Sequence, residues 1–218
     1  MLHSLICLTK TKNRVSIKMI IRRKGVAFMT KMLVVVDMVN GFINEGALAD
    51  KNINKITPNI VSLIEQAKKE GTLIVAFKDC HCVDDEEFKI FPPHCIKGSS
   101  ESELIPELKR YEKDMVLIEK NTTNGFITEQ FTDLIKKKDF DNVLVVGCCT
   151  DICVSGFVNS YLDYIGKNNL NTEIYVDSSS CYTFDGKGHD AKQVHDAAIE
   201  EMKEKGAIIV NKFLNKNR

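Results

Sequence analysis

The sequence predicts an α/β protein, a three-layer α/β/α arrangement around a six-stranded, mainly parallel sheet. Short runs rich in Val and Ile recur from residue 31 onward. Stretches with apolar residues at helical spacing separate them. The runs are apolar throughout rather than alternating, as strands covered on both faces are.

Leu33–Asp37 (LVVVD) is the first such run. Thr57-Pro58 then marks a helix start, with proline at the first helical position. Ile60, Leu63, Ile64 and Ala67 keep the helical spacing, and Gly71 marks the stop. Thr72–Asp79 (TLIVAFKD) is the second strand. A polar, proline-bearing segment from Cys80 to about Ser100 precedes a short helix through Leu108. Asp114–Lys120 is the third strand, followed by a helix over ITEQFTDLIKKK. Asn142–Gly147 is the fourth strand, followed by a helix from about Asp151 to Tyr164. Glu173–Asp177 is the fifth strand, a helix runs from His189 to Gly206, and Ala207–Asn211 is the sixth strand.

A chain of 218 residues suits one well-buried domain, expected over residues 31–218. Thirty basic residues face thirty acidic ones, so no net field recruits nucleic acid or an anionic membrane. No apolar run approaches the roughly 18 residues of a spanning helix, and a cytoplasmic protein is expected. Eight cysteines in a chain able to build a core read as reduced thiols rather than a disulfide scaffold. Residues 1–30 are set apart as an N-terminal extension, because the first acidic residue is Asp37 while basic residues are frequent before it. Met29 or Met32 is the expected biological start. A targeting segment or an added arm is the alternative.

In such sheets chemistry gathers at the carboxyl ends of the strands. Those ends carry Asp37, then Asp79 and His81, then Lys120, then Cys148, Cys149 and Cys153. Cys153 falls in the first turn of the expected helix, where the helix dipole and a nearby lysine favour a thiolate. A carboxylate in the same pocket would take the thiol proton and pass it to a leaving amine. Backbone N–H groups before Cys153 would meet a developing oxyanion. Together these describe acyl transfer through a thioester. The plainer reading is that each residue simply ends a strand at the surface.

The segment DCHCVDDEEFKIFPPHC (Asp79–Cys95) offers Asp79, His81 and His94 as ligands for a borderline divalent metal. Cys80, Cys82 and Cys95 leave a thiolate site open, and a polar surface loop is the alternative. In an extended segment Asp79 and His81 share a face and Cys80 points away. His189 and His195 read as surface or capping groups.

Six separated motifs, in order, resemble the isochorismatase-like cysteine hydrolases and, within them, the nicotinamidases. They are VVVDMVNGF, FKDCH, FPPHCIKGS with SESELIPEL, IEKNTTNGF, GCCTDICV and VDSSSCYTFD, and the resemblance spans roughly residues 32–212. It implies Asp37 as general acid and base, Lys120 as its charged partner and Cys153 as nucleophile. It also implies an oxyanion hole from the backbone N–H groups of Cys149 and Cys153, with a non-proline cis peptide before Cys149. It maps a divalent metal, zinc in many relatives and iron or manganese in others, onto Asp79, His81 and His94. The fourth position would fall to Glu86, Glu87, a neighbouring aspartate or water. Phe42 and Phe91 map to the substrate pocket, Phe91 standing where many nicotinamidases carry tryptophan. The implied reaction is hydrolysis of nicotinamide to nicotinate and ammonia, with self-association into a homo-oligomer. Another small amide is the first alternative. A non-enzymatic nucleotide-binding or redox module is the second, and the missing Gly-x-Gly-x-x-Gly and Cys-x-x-Cys motifs count against it.

Overall fold

The computed structural model describes residues 30–212 and, ahead of them, a short antiparallel pair, Lys10–Thr11 with Arg14–Val15. The expectations for an N-terminal extension over residues 1–30 fall almost wholly outside the described residues. Six strands form one sheet: β1 (Lys31–Val36), β2 (Leu73–Asp79), β3 (Val116–Lys120), β4 (Asn142–Gly147), β5 (Glu173–Cys181) and β6 (Ile208–Val210). Their order is β3-β2-β1-β4-β5-β6, and every neighbouring pair is parallel. The order reverses between β1 and β4, which opens a crevice at the carboxyl ends of these strands.

The helices are α1 (Asn40–Ile43), α2 (Thr57–Glu70), α3 (Pro106–Lys109), α4 (Glu129–Lys137), α5 (Ser155–Asn168) and α6 (Ala191–Glu204). Strand residues alternate between two cores. Met32, Val34, Val36 and Phe77 pack with Phe131, Phe157, Tyr161 and Met202 beneath α4, α5 and α6. Leu33, Val35, Ile74 and Ala76 pack with Ile60, Leu63 and Ile64 of α2 on the other side. Neither face reaches water, which is why the strands lack alternation. Phe157 sits at the centre of an aromatic knot, 5.0 Å from the Phe131 ring and 5.3 Å from Phe77. Truncating such a ring costs about 3–5 kcal/mol. Among the described residues no helix is long and apolar enough to cross a membrane.

The expected elements are present with shifted ends. α2 stops at Gly71, whose φ of 68° is the left-handed cap that glycine adopts freely. β5 runs four residues past Asp177, because a register irregularity between Val145 and Gly147 lets Cys181 pair with Gly147. The Asp177 carboxylate accepts from Ser179 and Ser180, so this polar extension is satisfied. The helix after β4 begins later than its sequence pattern. Residues Thr150–Val154 form a π turn, with Val154 N–H donating to Cys149 C=O at 3.1 Å, before α5 starts.

Gly147 fixes how β1 meets β4. Its φ is 121°, and a Cβ there would lie 2.1 Å from the Val36 carbonyl oxygen. Glycine alone lets the two strand ends close side by side.

Candidate active site

β1 ends opposite Phe77, and β2 and β3 run on together to Asp79 and Lys120, so the first residue after β1 lies beside these two ends. Three charged side chains therefore meet in the interior. Lys120 Nζ lies 2.8 Å from Asp37 Oδ2 and 2.7 Å from Asp79 Oδ1. It also donates to Cys153 Sγ at 3.9 Å, a long contact. Asp37 follows β1 with φ 51°, and its carbonyl is held by the Val39 N–H at 2.8 Å and the Cys148 thiol at 3.2 Å. The Asp37 contact to Lys120 is an ion pair, and neither carboxylate oxygen meets a well-aligned hydrogen-bond donor among the described residues.

Burial disfavours the Asp37 carboxylate and pushes its pKa up to about 6, against the pull of Lys120. Burial acts the same way on Asp79, but Lys120, His81 and His94 outweigh it and hold that carboxyl well below the usual range. Burial would discharge Lys120, yet the Asp37 and Asp79 carboxylates beside it keep it charged. The Cys153 thiol feels opposing influences. Burial raises its pKa well above that of a free thiol, and Asp37 and Asp79 add to the rise while Lys120 opposes it. Asp37 and Cys153 are near enough to shift each other's proton affinity.

The second cluster shares Asp79. Its Oδ2 lies 2.9 Å from His81 Nε2 and 3.1 Å from His94 Nε2. The three donors lie within 4.8 Å of one another, all buried. His94 Nδ1 donates to the Pro92 carbonyl at 2.8 Å, so its proton is fixed there. His81 Nδ1 faces the Asp85 carboxylate at 3.0 Å. Each ring has its Nδ1 held by an acceptor and its Nε2 turned to Asp79, so on binding a cation each Nε2 would exchange its contact with Asp79 for a bond to the ion. The residues therefore fit a divalent metal. Cys80, Cys82 and Cys95 stand outside this ligand group. Asp85 is engaged with His81, the Cys82 N–H and Asn121, behind the ligands rather than among them.

A cavity of about 390 Å³ joins the two clusters. Asp79, His94, Cys149 and Cys153 form its reactive side, and Phe42, Phe91, Ile152 and Phe184 supply apolar walls. Glu87 also faces it. The Cys148–Cys149 peptide is cis, as the family resemblance implies. The Cys149 N–H meets no backbone carbonyl among the described residues. Every residue expected at the site, Asp37, Phe42, Asp79, His81, Phe91, His94, Lys120, Cys149 and Cys153, thus lies in or against one crevice, and the strand-end cluster is buried rather than at the surface.

The two other histidines among the described residues differ from expectation. His195 is buried, with Nδ1 2.9 Å from Thr150 Oγ1. His189 is half-buried, paired with Asp151 and stacked on Phe184. Charged neighbours in sequence hid both, since α6 turns its His195 face inward while Lys192 and Asp196 stay exposed. Phe184 itself was missed. It is the penultimate residue of the VDSSSCYTFD motif, and its sequence signal is an aromatic residue just before a glycine-rich turn.

An isochorismatase domain matches residues 31–212. Nicotinamidase 1 of Arabidopsis thaliana is 34% identical over 209 residues, covering 83% of this chain and 85% of its own. The crystal structure of a Bacillus subtilis nicotinamidase superposes with a TM-score of 0.71 at 25% identity, covering 84% of this chain and all of that one. A pyrazinamidase of Pyrococcus horikoshii, solved in complex with zinc, superposes with a TM-score of 0.70 at 25% identity, covering 83% and 98%. The crevice at the strand switch, the buried cysteine at its rim and the match across nearly all of the described residues agree: the chain belongs to the isochorismatase family of hydrolases.

Proposed function

We propose that this protein hydrolyses nicotinamide to nicotinate and ammonia through a thioester on Cys153. The observation that carries this reading is Lys120, whose single ammonium touches Asp37, Asp79 and the Cys153 sulfur at once. A base, a nucleophile and a ligand cluster thereby share one cavity.

Cys153 Sγ attacks the amide carbon as Asp37 takes the thiol proton. Because the thiol pKa is high, proton transfer accompanies attack instead of preceding it. A carboxylate poised near 6 can accept that proton and give it up again. The Cys149 and Cys153 N–H groups hold the oxyanion, a contribution worth about 3 kcal/mol per donor in comparable sites. Asp37 returns the proton to the amine nitrogen, the C–N bond breaks and ammonia leaves. Asp37 then takes a proton from water as the water oxygen attacks the thioester carbonyl, and the sulfur leaves with the proton restored. Lys120 stays charged throughout and keeps Asp37 aimed at the sulfur.

Asp79, His81 and His94 would hold one divalent metal, zinc being the ion named in one relative, and it would supply a Lewis-acid anchor for the ring nitrogen. Phe42 and Phe91 offer ring faces to the pyridine. On this reading the enzyme acts in the cytoplasm as a homo-oligomer, on a small amide and without nucleic acid or membrane. Phenylalanine at Phe91 gives a smaller stacking face than tryptophan and supports a second reading, another small amide with the same chemistry.

The test is ammonia release from nicotinamide by the purified protein, with and without a chelator. Release that stops with chelator and with Cys153→Ala is expected. Full activity in Cys153→Ala overturns the mechanism, and inert nicotinamide beside other reactive amides favours the second reading.

A further inference from the structure

The wall of the cavity contributed by Phe184 is built by a device that the reaction chemistry does not use. Phe184 is followed by Asp-Gly-Lys-Gly-His, and the chain folds back on itself within these residues. The His189 N–H donates to the Gly186 carbonyl at 3.0 Å and the Gly186 N–H to the His189 carbonyl at 2.9 Å. Gly188 makes the turn at φ 77°, with nothing near its missing side chain. The reversal lays the His189 ring flat on the Phe184 ring, centroids 3.9 Å apart and planes within 4°. His189 Nδ1 donates to the Phe184 carbonyl at 3.0 Å, tying the ring to the same residue it covers.

The far side of the imidazole is anchored too. His189 Nε2 lies 2.9 Å from Asp151 Oδ2. Asp151 belongs to the π turn that also carries Ile152 and Cys153. One chain of contacts therefore runs from the turn bearing the sulfur, through a carboxylate and an imidazole, to an aromatic face of the cavity. Burial works against charging the ring, but Asp151 and the Phe184 carbonyl outweigh it and hold the His189 pKa above the ordinary imidazole value. A charged imidazole stacked on a phenyl ring gains a cation–π contribution.

We propose that Asp151, His189 and Phe184 form a clamp that fixes one aromatic wall of the cavity relative to Cys153, and that His189 is thereby a positioning residue selecting flat aromatic amides over aliphatic ones. This rests on the amidase reading above. His189 does not touch the reacting atoms. It acts through Phe184, so its loss weakens binding of a flat ring and leaves the bond-breaking steps alone.

The test uses the metal-loaded full chain, with ammonia release from nicotinamide and from isobutyramide. His189→Ala should raise the KM for nicotinamide about five- to tenfold, the worth of one aromatic stack, with kcat within about twofold. The kcat/KM for isobutyramide should not change. Phe184→Leu, which changes the cavity wall itself, should raise the KM for nicotinamide at least as much, and the double variant should be no worse than Phe184→Leu alone. A fall in kcat at constant KM, or multiplied effects in the double variant, overturns the clamp. Asp151→Asn keeps the shape and removes the charge, and a several-fold KM rise is expected from it if His189→Ala does not fold. Histidine NMR gives a reading independent of turnover. The His189 ring protons should be shifted upfield by Phe184 and move downfield in Phe184→Leu; resonances that stay put overturn the stack. Wild-type protein that releases no ammonia from nicotinamide defeats the amidase reading, while the NMR shift still decides the clamp.

Discussion

Lys120 and Asp37 are buried together, with the ammonium nitrogen 2.8 Å from the carboxylate oxygen and neither side chain exposed. The same nitrogen is 2.7 Å from Asp79, so one cation holds two carboxylates that belong to different clusters.

Removing that cation strands both acids. Lys120→Met should destabilise the fold by about 3–5 kcal/mol, the usual result of breaking a buried ion pair from one side. It should also lower kcat/KM at least a hundredfold. Urea unfolding and steady-state ammonia release measure the two losses, and an active, equally stable variant would refute the bridging role.

Asp37 should separate activity from stability. Its folded pKa is raised from 3.8 to about 6. The native state therefore binds this proton more tightly than the unfolded chain. The stabilisation it gives is complete below pH 3.8 and is lost as pH rises to about 6. Asp37→Asn removes this penalty and leaves Lys120 its Asp79 partner. The variant should be inactive, yet lose less stability than wild type between pH 4 and pH 7 in urea titrations. In the wild type, kcat/KM should climb through about pH 6 as the base ionises.

Asp85 is the outer partner of a proposed ligand. Its carboxylate fixes the His81 ring through Nδ1 at 3.0 Å. Asp85→Asn keeps Asp79, His81 and His94 but loosens their orientation. Metal affinity should fall about 10–100-fold, the common cost of losing such a partner. Metal content after dialysis against graded chelator measures it, with activity restored at high zinc. Unchanged retention would show that His81 needs no outside support.

The neighbouring cysteines should respond unequally. Cys153→Ser should abolish turnover. Cys148 is buried and gives its thiol to the Asp37 carbonyl, which the Val39 N–H already serves. Cys148→Ala should cost about 1 kcal/mol of stability and spare most activity. Thermal melts and ammonia release compare the two.

Much of this site could be read from residue order. Parallel strands bring their carboxyl ends to one edge, so Asp37, Asp79, Lys120 and Cys153 had to converge once each was placed after a strand. The extended Asp79-Cys80-His81 segment had to turn two candidate ligands to one face. What sequence left unread depends on what packs around a residue. The pull on the Cys153 proton is set by burial first and then by two carboxylates against one lysine, none of which its place after a strand reveals. The wider π turn has no residue pattern of its own. His195 looked exposed among lysines and acids, yet Thr150, across the fold, claims its Nδ1. Asn169 ends α5 in the left-handed conformation where a glycine is the usual signal.

The close approach of Val36 to Gly147 divides the molecule by how freely it can vary. Asp37 directly follows β1, and the π turn bearing Cys153 follows β4, two neighbouring strand ends that no side chain can wedge apart, so the sheet sets their spacing. The cavity walls come from the stretches around Ala47, Phe91 and Phe184, which lie outside the sheet. Changes of substrate range should therefore accumulate in those loops, whether by natural drift or by laboratory selection, while the strand ends stay fixed. A library confined to the three loops should yield new specificities with the hydrolytic step intact, and one directed at Gly147 should yield misfolded protein.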